Sequence, residues 1–260
     1  MPSEKHHSPK KRFGQNFLTD TDAITSIIRA LAPNPLDKVL EIGPGTGALT
    51  EILLRSVARI SAVEIDRDLD LPLRNKFHDQ PGFDLISADV LDPSFEIAAL
   101  GVNKIIGNLP YNISTPILTK LAVERDGIDR MILMFQREVA DRITAPVGSD
   151  RGLMTIVAQL AFDIERIIDL PPAAFRPQPK VWSTVLNLQP RPANFGDEPG
   201  FRILLAAAFA QKRKTLGNNL KAGYQLAKVS SAIDTSRRAE SLELIEWEHL
   251  YHALKGKAGP

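Results

Sequence analysis

Five short apolar runs, rich in β-branched residues and separated by stretches with helical spacing, constrain this chain more than any other feature. They are KVLEIG (38–43), RISAVEID (59–66), DLISAD (84–89), KIIGNLP (104–110) and RMILMFQ (130–136). Near-continuous apolar character marks strands covered on both faces, as in a parallel sheet. Their alternation with helices predicts an α/β doubly wound, Rossmann-like domain. Ahead of them, DTDAITSIIRALAP reads as a helix capped by Asp20 or Thr21, with Pro33 just past its end. After about residue 160, FDIERIIDLP and VWSTVLNLQP flank the proline-rich PPAAFRPQPK and read as two strands closing a sheet edge. RPANFGDEPG reads as a linker, and FRILLAAAFAQKRKTLGNNLKAG and LELIEWEHLYHALKG have helical spacing without strand signal. The expected division lies near residue 195: an α/β domain with a basic N-terminal arm over 1–195 and a small all-helical domain over 196–260.

With 260 residues, 43% of them hydrophobic, the chain can bury a sizeable core. Cysteine is absent, which excludes disulfides, iron–sulfur clusters and zinc on thiolates and fits a reducing compartment. The start, MPSEKHHSPKKRFGQNF, has no apolar h-region. No run approaches the roughly 18 apolar residues of a membrane span. A cytoplasmic protein, monomeric and without a membrane partner, is expected. His249 and His252 have helical spacing but no further ligands nearby in sequence, so no metal site is expected. Net charge is only +1, yet its distribution is uneven. Phe201 to Ile233 holds no Asp or Glu but contains Arg202, Lys212, Arg213, Lys214, Lys221 and Lys228. Lys5, Lys10, Lys11 and Arg12 crowd the N-terminus. Such asymmetry can make a basic face on a near-neutral protein.

EIGPGTGALT (41–50) follows one predicted strand and opens a helix, with glycines at 43, 45 and 47. Gly43 and Gly45 allow a tight turn and close approach of backbone to a ligand, although the spacing is not that of a dinucleotide fold. The next strand ends in Glu64, about 20 residues on, where a carboxylate can accept from both ribose hydroxyls. The third ends in Asp89, placed to accept from an adenine amino group. Thr46-Gly47-Ala48 stands where a phosphate-binding lysine motif would need Gly-Lys-Ser/Thr. An adenosine ligand without polyphosphate is therefore expected, and S-adenosylmethionine is the common one.

The fourth strand ends in GNLPY (107–111), which supplies an amide, a carbonyl before proline, and a ring. Adenine's amino group is a poor nucleophile because its lone pair is delocalised into the ring. Acceptance of its two hydrogens by the Asn108 side chain and the Leu109 carbonyl would favour a tetrahedral nitrogen able to attack a sulfonium methyl. Pro110 restricts Leu109 to extended geometry, and Tyr111 could stack on the base. No covalent nucleophile is needed, because the methyl donor is already activated and positioning supplies much of the rate.

EIGPGTGALT, VEID, SADVLD and GNLPYNIS resemble the successive motifs of S-adenosylmethionine-dependent N6-adenine methyltransferases. KRFGQNFLTD, PPAAFRPQPKVWS and AQKRKTLGNNLK are similar to segments of the ribosomal RNA adenine dimethyltransferase family, in its small-subunit (kasugamycin-sensitivity) branch. The likeness runs from about residue 10 to the C-terminal helices. It implies transfer of two methyl groups to each of two adjacent adenosines near the 3′ end of 16S rRNA, within a small (30S) subunit or its precursor. By motif, it implies that Asn16 and Leu18 cover the cofactor, that Gly43 contacts its methionine part, and that Glu64 holds the ribose. Asp89 with Val90 would hold the adenine, Asn108 would serve cofactor and target, and Phe175 would stack on the target base opposite Tyr111. Without the resemblance, Phe175 reads as a core anchor. Lys11, Arg12, Lys212, Arg213, Lys214 and Lys221 are the candidate RNA contacts. The family often has Tyr-Gly where this chain has Arg151-Gly152, and RDLDLPLRNK differs from the usual helix after VEID. Alternatives are a 23S rRNA dimethyltransferase of the macrolide-resistance type, whose motif is commonly Asn-Ile-Pro-Tyr, and a non-catalytic small-subunit assembly factor. DNA N6-adenine enzymes usually carry Asp-Pro-Pro-Tyr.

Overall fold

The computed structural model describes residues 15–110, 113–148, 150–226, 229 and 233–255. All five apolar runs form strands: β2 (Lys38–Ile42), β3 (Arg59–Glu64), β4 (Phe83–Ser87), β5 (Lys104–Asn108) and β6 (Arg130–Gln136). A two-residue β1 (Phe17–Leu18) precedes them; β7 (Phe162–Leu170), β8 (Phe175–Arg176) and β9 (Ser183–Pro190) follow. Seven strands make one sheet in the order β4-β3-β2-β5-β6-β9-β7. From β4 to β6 the neighbours are parallel, and β9 runs antiparallel to β6, from Gln136↔Ser183 to Met131↔Leu188. Strand order reverses at β2, which has β3 on one side and β5 on the other. In such sheets the crevice beyond the carboxyl ends of the strands at this reversal is where ligands bind.

Helix α1 (Thr21–Leu31) buries Ala23, Ile24, Ile27, Ile28 and Leu31, one face at helical spacing. Asp20 caps it, accepting from the Ala23 amide at 2.9 Å. Helix α2 (Ala48–Leu53) follows the glycine turn, and α3 (Arg67–Lys76) follows β3. Pro72 lies inside α3 and cannot donate to a carbonyl one turn back. The helix persists because Asp66 caps its start, Leu69 and Leu73 are buried, and Arg74 donates to the Leu85 carbonyl at 3.0 Å. Helix α4 (Ser114–Val123) follows β5, and α5 (Arg137–Ile143) continues directly from β6.

Two compact units emerge: one from Met1–Ala140 and Asp163–Pro190, the other from Asp141–Phe162 and Arg191–Pro260. Residues 141–162 thus group with the C-terminal helices, whereas composition placed the boundary near 195. The physical reason lies in α6 (Leu153–Ala161), whose Ile156 and Leu160 share an apolar core with Phe201 and Trp247. Within this unit Arg151 is buried and donates to the Leu242 carbonyl at 2.6 Å and to Gln159 at 2.9 Å. The departure at Arg151 is therefore a structural brace. The helical stretch after residue 200 is not continuous: α7 (Pro199–Ala208) stops and α8 (Leu216–Leu220) begins after a turn. Asn219 Nδ2 donates to the carbonyls of Ala208 at 2.7 Å and Gln211 at 3.2 Å, satisfying groups left open at the end of α7. Helix α9 (Leu244–Leu254) completes the unit around Trp247 and Tyr251. Among the described residues, no helix is long and apolar enough to cross a membrane.

At the amino ends of β2 and β5, Lys104 Nζ meets Asp37 Oδ2 at 2.7 Å, with both side chains buried. Lys104 also donates to the Ala32 carbonyl, and Arg130 to the Ala30 carbonyl, which closes the end of α1. Burial alone would raise the Asp37 pKa, but hydrogen bonds from Lys104 and Asn103 outweigh it and hold it below the ordinary value. A lowered folded pKa contributes stability that is present above the unfolded carboxyl value and lost as pH falls through the folded one. Asp37→Ala should cost about 3–5 kcal/mol, because it strands a buried ammonium. Urea titrations at neutral pH and near pH 3 should show the difference between wild type and variant shrinking in acid.

Candidate active site

At the carboxyl end of β2 the chain turns through Gly43, Gly45 and Gly47, whose φ angles are +69°, +59° and +78°. Side chains strain in that region. Two of these glycines also lie against rings: a Cβ on Gly45 would sit 2.8 Å from Phe17, and one on Gly47 2.6 Å from Phe77. The loop thus packs between Phe17 of β1 and Phe77, the residue after α3, and leaves its inner side to a pocket.

That pocket is lined by Asn16, Leu18, Glu41, Gly43, Gly45, Glu64, Asn108, Leu109 and Pro110, together with Gln15, Phe17 and Ile65. Parallel register explains the assembly, since Ile42 pairs with both Val63 and Gly107 and so sets the residues after it side by side. Glu64 is buried, accepting from the Gly45 amide at 3.3 Å and the Asp66 amide at 2.9 Å. Burial raises its pKa, and these two amides partly offset the rise.

The segment before α1 closes one side. Phe17 and Leu18 pair antiparallel with Arg176 and Phe175. Gln15 Nε2 donates to Asp66 at 2.8 Å. Asn108 Nδ2 donates to the Asn16 carbonyl at 2.9 Å, so Oδ1 is the atom of that carboxamide turned to accept from a ligand.

Glu41 joins the site without having been expected there. This residue is 1% exposed, lines the pocket, and accepts from Thr50 Oγ1 at 2.6 Å. Burial pushes its pKa up to about 7, the Thr50 hydrogen bond opposes the rise, and the charge of Glu64 adds to it. A carboxylate inside the otherwise apolar run KVLEIG was the available signal.

Other expected residues lie differently. Val90 is buried, and Asp89 is exposed with Oδ1 accepting from the Leu91 amide at 2.9 Å; neither lines the pocket. Phe175, expected to stack on a base, is 0% exposed and belongs to the core with Leu18, Ala174 and Val185. No face of its ring is open here, so the core-anchor reading is what the structure shows. Tyr111, Lys11 and Arg12 lie outside the described residues. Lys212, Arg213 and Lys214 are exposed on the turn between α7 and α8, and Lys221 is exposed just after α8. Among the described residues, no group of three or more His, Asp or Glu could hold a metal ion.

A raised folded pKa makes Glu41 a source of pH dependence. Its contribution to stability is complete below the unfolded value, near 4.5, and is lost as pH rises through about 7. Between pH 4.5 and 8 the wild type should lose on the order of 3 kcal/mol through this group. Glu41→Gln should flatten that stretch of the profile, read from urea midpoints across the range.

A family described as ribosomal RNA adenine dimethylase matches residues 6–255. A protein of Syntrophotalea carbinolica named ribosomal RNA small subunit methyltransferase A is 44% identical over 96% of this chain and 98% of its own length. A protein of the same name from Neisseria meningitidis is 43% identical over 98% and 99%. Among solved structures, a dimethyladenosine transferase from Plasmodium falciparum superposes with a TM-score of 0.77 at 25% identity, covering 91% of this chain and 96% of that one. The 23S rRNA methyltransferase ErmE shares the fold, with a TM-score of 0.71 at 24% identity over 92% and 99%.

Proposed function

Because the chain belongs to the ribosomal RNA adenine dimethylase family, we propose that it converts two adjacent adenosines near the 3′ end of 16S rRNA to N6,N6-dimethyladenosine, acting on the small subunit or its precursor. The carrying observation is the Asn108 carboxamide, fixed by its bond to the Asn16 carbonyl with its oxygen left to accept, on the strand next to the glycine turn.

The methyl donor is S-adenosylmethionine, and the pocket suits it. Buried Glu64 offers acceptor oxygens for a ribose diol, Gly43 and Gly45 allow backbone contact, and Glu41 and Glu64 place two acidic groups around a cationic ligand. When bound, the cofactor supplies an electrophilic methyl on a sulfonium. The protein's own part is positioning. Asn108 Oδ1 and the Leu109 carbonyl accept the two hydrogens of the adenine amino group, which draws its lone pair out of conjugation. As that nitrogen gains positive charge, the same acceptors bind its hydrogens more strongly, so they favour the transition state over the ground state. Pro110 holds Leu109 extended. Asp89 and Val90, just past β4 and outside the pocket lining, are assigned to the adenine by motif alone, as Tyr111 beyond Pro110 is to the target base. Exposed Lys212, Arg213, Lys214 and Lys221, with Lys11 and Arg12, are assigned to RNA phosphates.

Purified protein, methyl-labelled S-adenosylmethionine and unmethylated small subunits should yield label in dimethyladenosine after digestion, with none from large subunits or their naked RNA. Label from the large-subunit RNA alone would move the chain to the resistance-type reaction. No label, with cofactor binding intact, would leave an assembly factor. Asn108→Ala should lower kcat by about 10²–10³-fold, the usual cost of one lost transition-state hydrogen bond.

A further inference from the structure

The loop that buries Phe175 exposes a different ring. Among the described residues, nine large apolar side chains are well exposed, and Trp182 is the one aromatic among them, 45% exposed beside Val181 at 40%. It precedes the first residue of β9, and its carbonyl accepts from the Arg137 amide at 2.9 Å. Its ring stacks on no other aromatic ring among the described residues.

Its position can be read from strand register. Asn108 pairs with Met134, and Met134 with Val185, so Trp182 lies three residues further toward the carboxyl edge of the sheet. Two inter-strand steps of about 4.8 Å and three residues of about 3.3 Å put its backbone on the order of 14 Å from Asn108. That is the edge carrying the pocket, within reach of a few nucleotides of extended RNA.

Charge there favours a polyanion. Arg176 and Lys180 are exposed in the same loop, Arg137 is exposed beside the Trp182 carbonyl, and Arg166 lies 3.4 Å from Thr184 Oγ1. Arg166 and Asp169 offset one another as an ion pair at 3.1 Å, and Thr184 donates to the same carboxylate at 2.6 Å, so Arg137, Arg176 and Lys180 stand against Glu138. An exposed indole among cations has the chemistry of a platform for single-stranded nucleic acid, where bases stack on rings and phosphates meet arginines and lysines.

We propose that Trp182 stacks on an unpaired base flanking the target adenosines and fixes the path of the RNA across the sheet edge. This rests on the function proposed above, and it makes Trp182 a residue that binds substrate without entering the chemistry.

The test combines kinetics with fluorescence. The chain has two tryptophans, and Trp247 is wholly buried, so emission quenched by a short single-stranded oligoribonucleotide reports Trp182. Quenching is expected in the wild type and should vanish in Trp182→Phe. In methylation of small subunits, Trp182→Ala and Trp182→Gln should raise KM by about tenfold with kcat within about twofold, and Trp182→Phe should recover KM to within about threefold. Cofactor affinity, measured by calorimetry, should be the same in all four proteins. Two non-aromatic variants guard against one that folds poorly. A wild-type KM in both of them, a phenylalanine variant as weak as alanine, or an unquenched wild type would each overturn the platform. A wild type that is quenched but methylates no RNA would uphold the platform and overturn the function. Methylation that ignores Trp182 would do the reverse.

Discussion

Parallel hydrogen-bonded register between β2 and its two neighbours is the constraint on which the site depends. Ile42 pairs with Val63 on one side and Gly107 on the other. One residue further on, Gly43, Glu64 and Asn108 leave the sheet together. Glycine at 107 is part of the same constraint, because a Cβ there would meet the Ile42 carbonyl at 3.0 Å and the Leu109 side chain at 3.1 Å. Strands β2 and β5 therefore approach closely where the strand order reverses, and the ends of β2, β3 and β5 give the pocket a rigid backbone floor.

The two ends of the sheet divide the work. At the amino edge, polar groups are neutralised: Asp37, Lys104, Asn103 and the last carbonyls of α1 satisfy one another. At the carboxyl edge, polar groups are concentrated. Glu41 and Glu64 are held in a buried wall, where burial raises the cost of ionising each and the charge of Glu64 adds to the cost at Glu41. A cation in the pocket would relieve that cost, so a positively charged ligand binds more favourably there than a neutral one of equal shape.

Much of this was legible in the chain. The five apolar runs became five strands with limits within two residues of those read, and Asp20 caps α1 as its position suggested. Period and composition report such features directly, because burial on both faces leaves little choice of residue. Long-range pairing was not legible. Nothing in GQNFL announces that Phe17 and Leu18 form a strand with Phe175 and Arg176, more than 150 residues away. Burial of Phe175 follows from that pairing and from the core beneath it, so a motif-based role for its ring could not be weighed against packing. Residues 141–162 joined the second unit for the same reason, since the contacts of α6 with Phe201 and Trp247 are tertiary. Glu41 escaped notice because a strand pattern records where side chains point and not whether a buried carboxylate keeps its proton.

The bond from Asn108 to the Asn16 carbonyl has a further consequence. A carboxamide is nearly symmetric in shape but opposite in sign at its two ends, and only the anchored orientation offers oxygen to an amino group. Were residues 15–18 to lift away, the anchor would go with them, and the amide could turn its donor end toward an incoming amino group, itself a donor. On the function proposed above, the acceptor would then be in place only while that bond holds. Packing of residues 15–18 against the pocket and readiness toward the target would thus be coupled through the orientation of one amide.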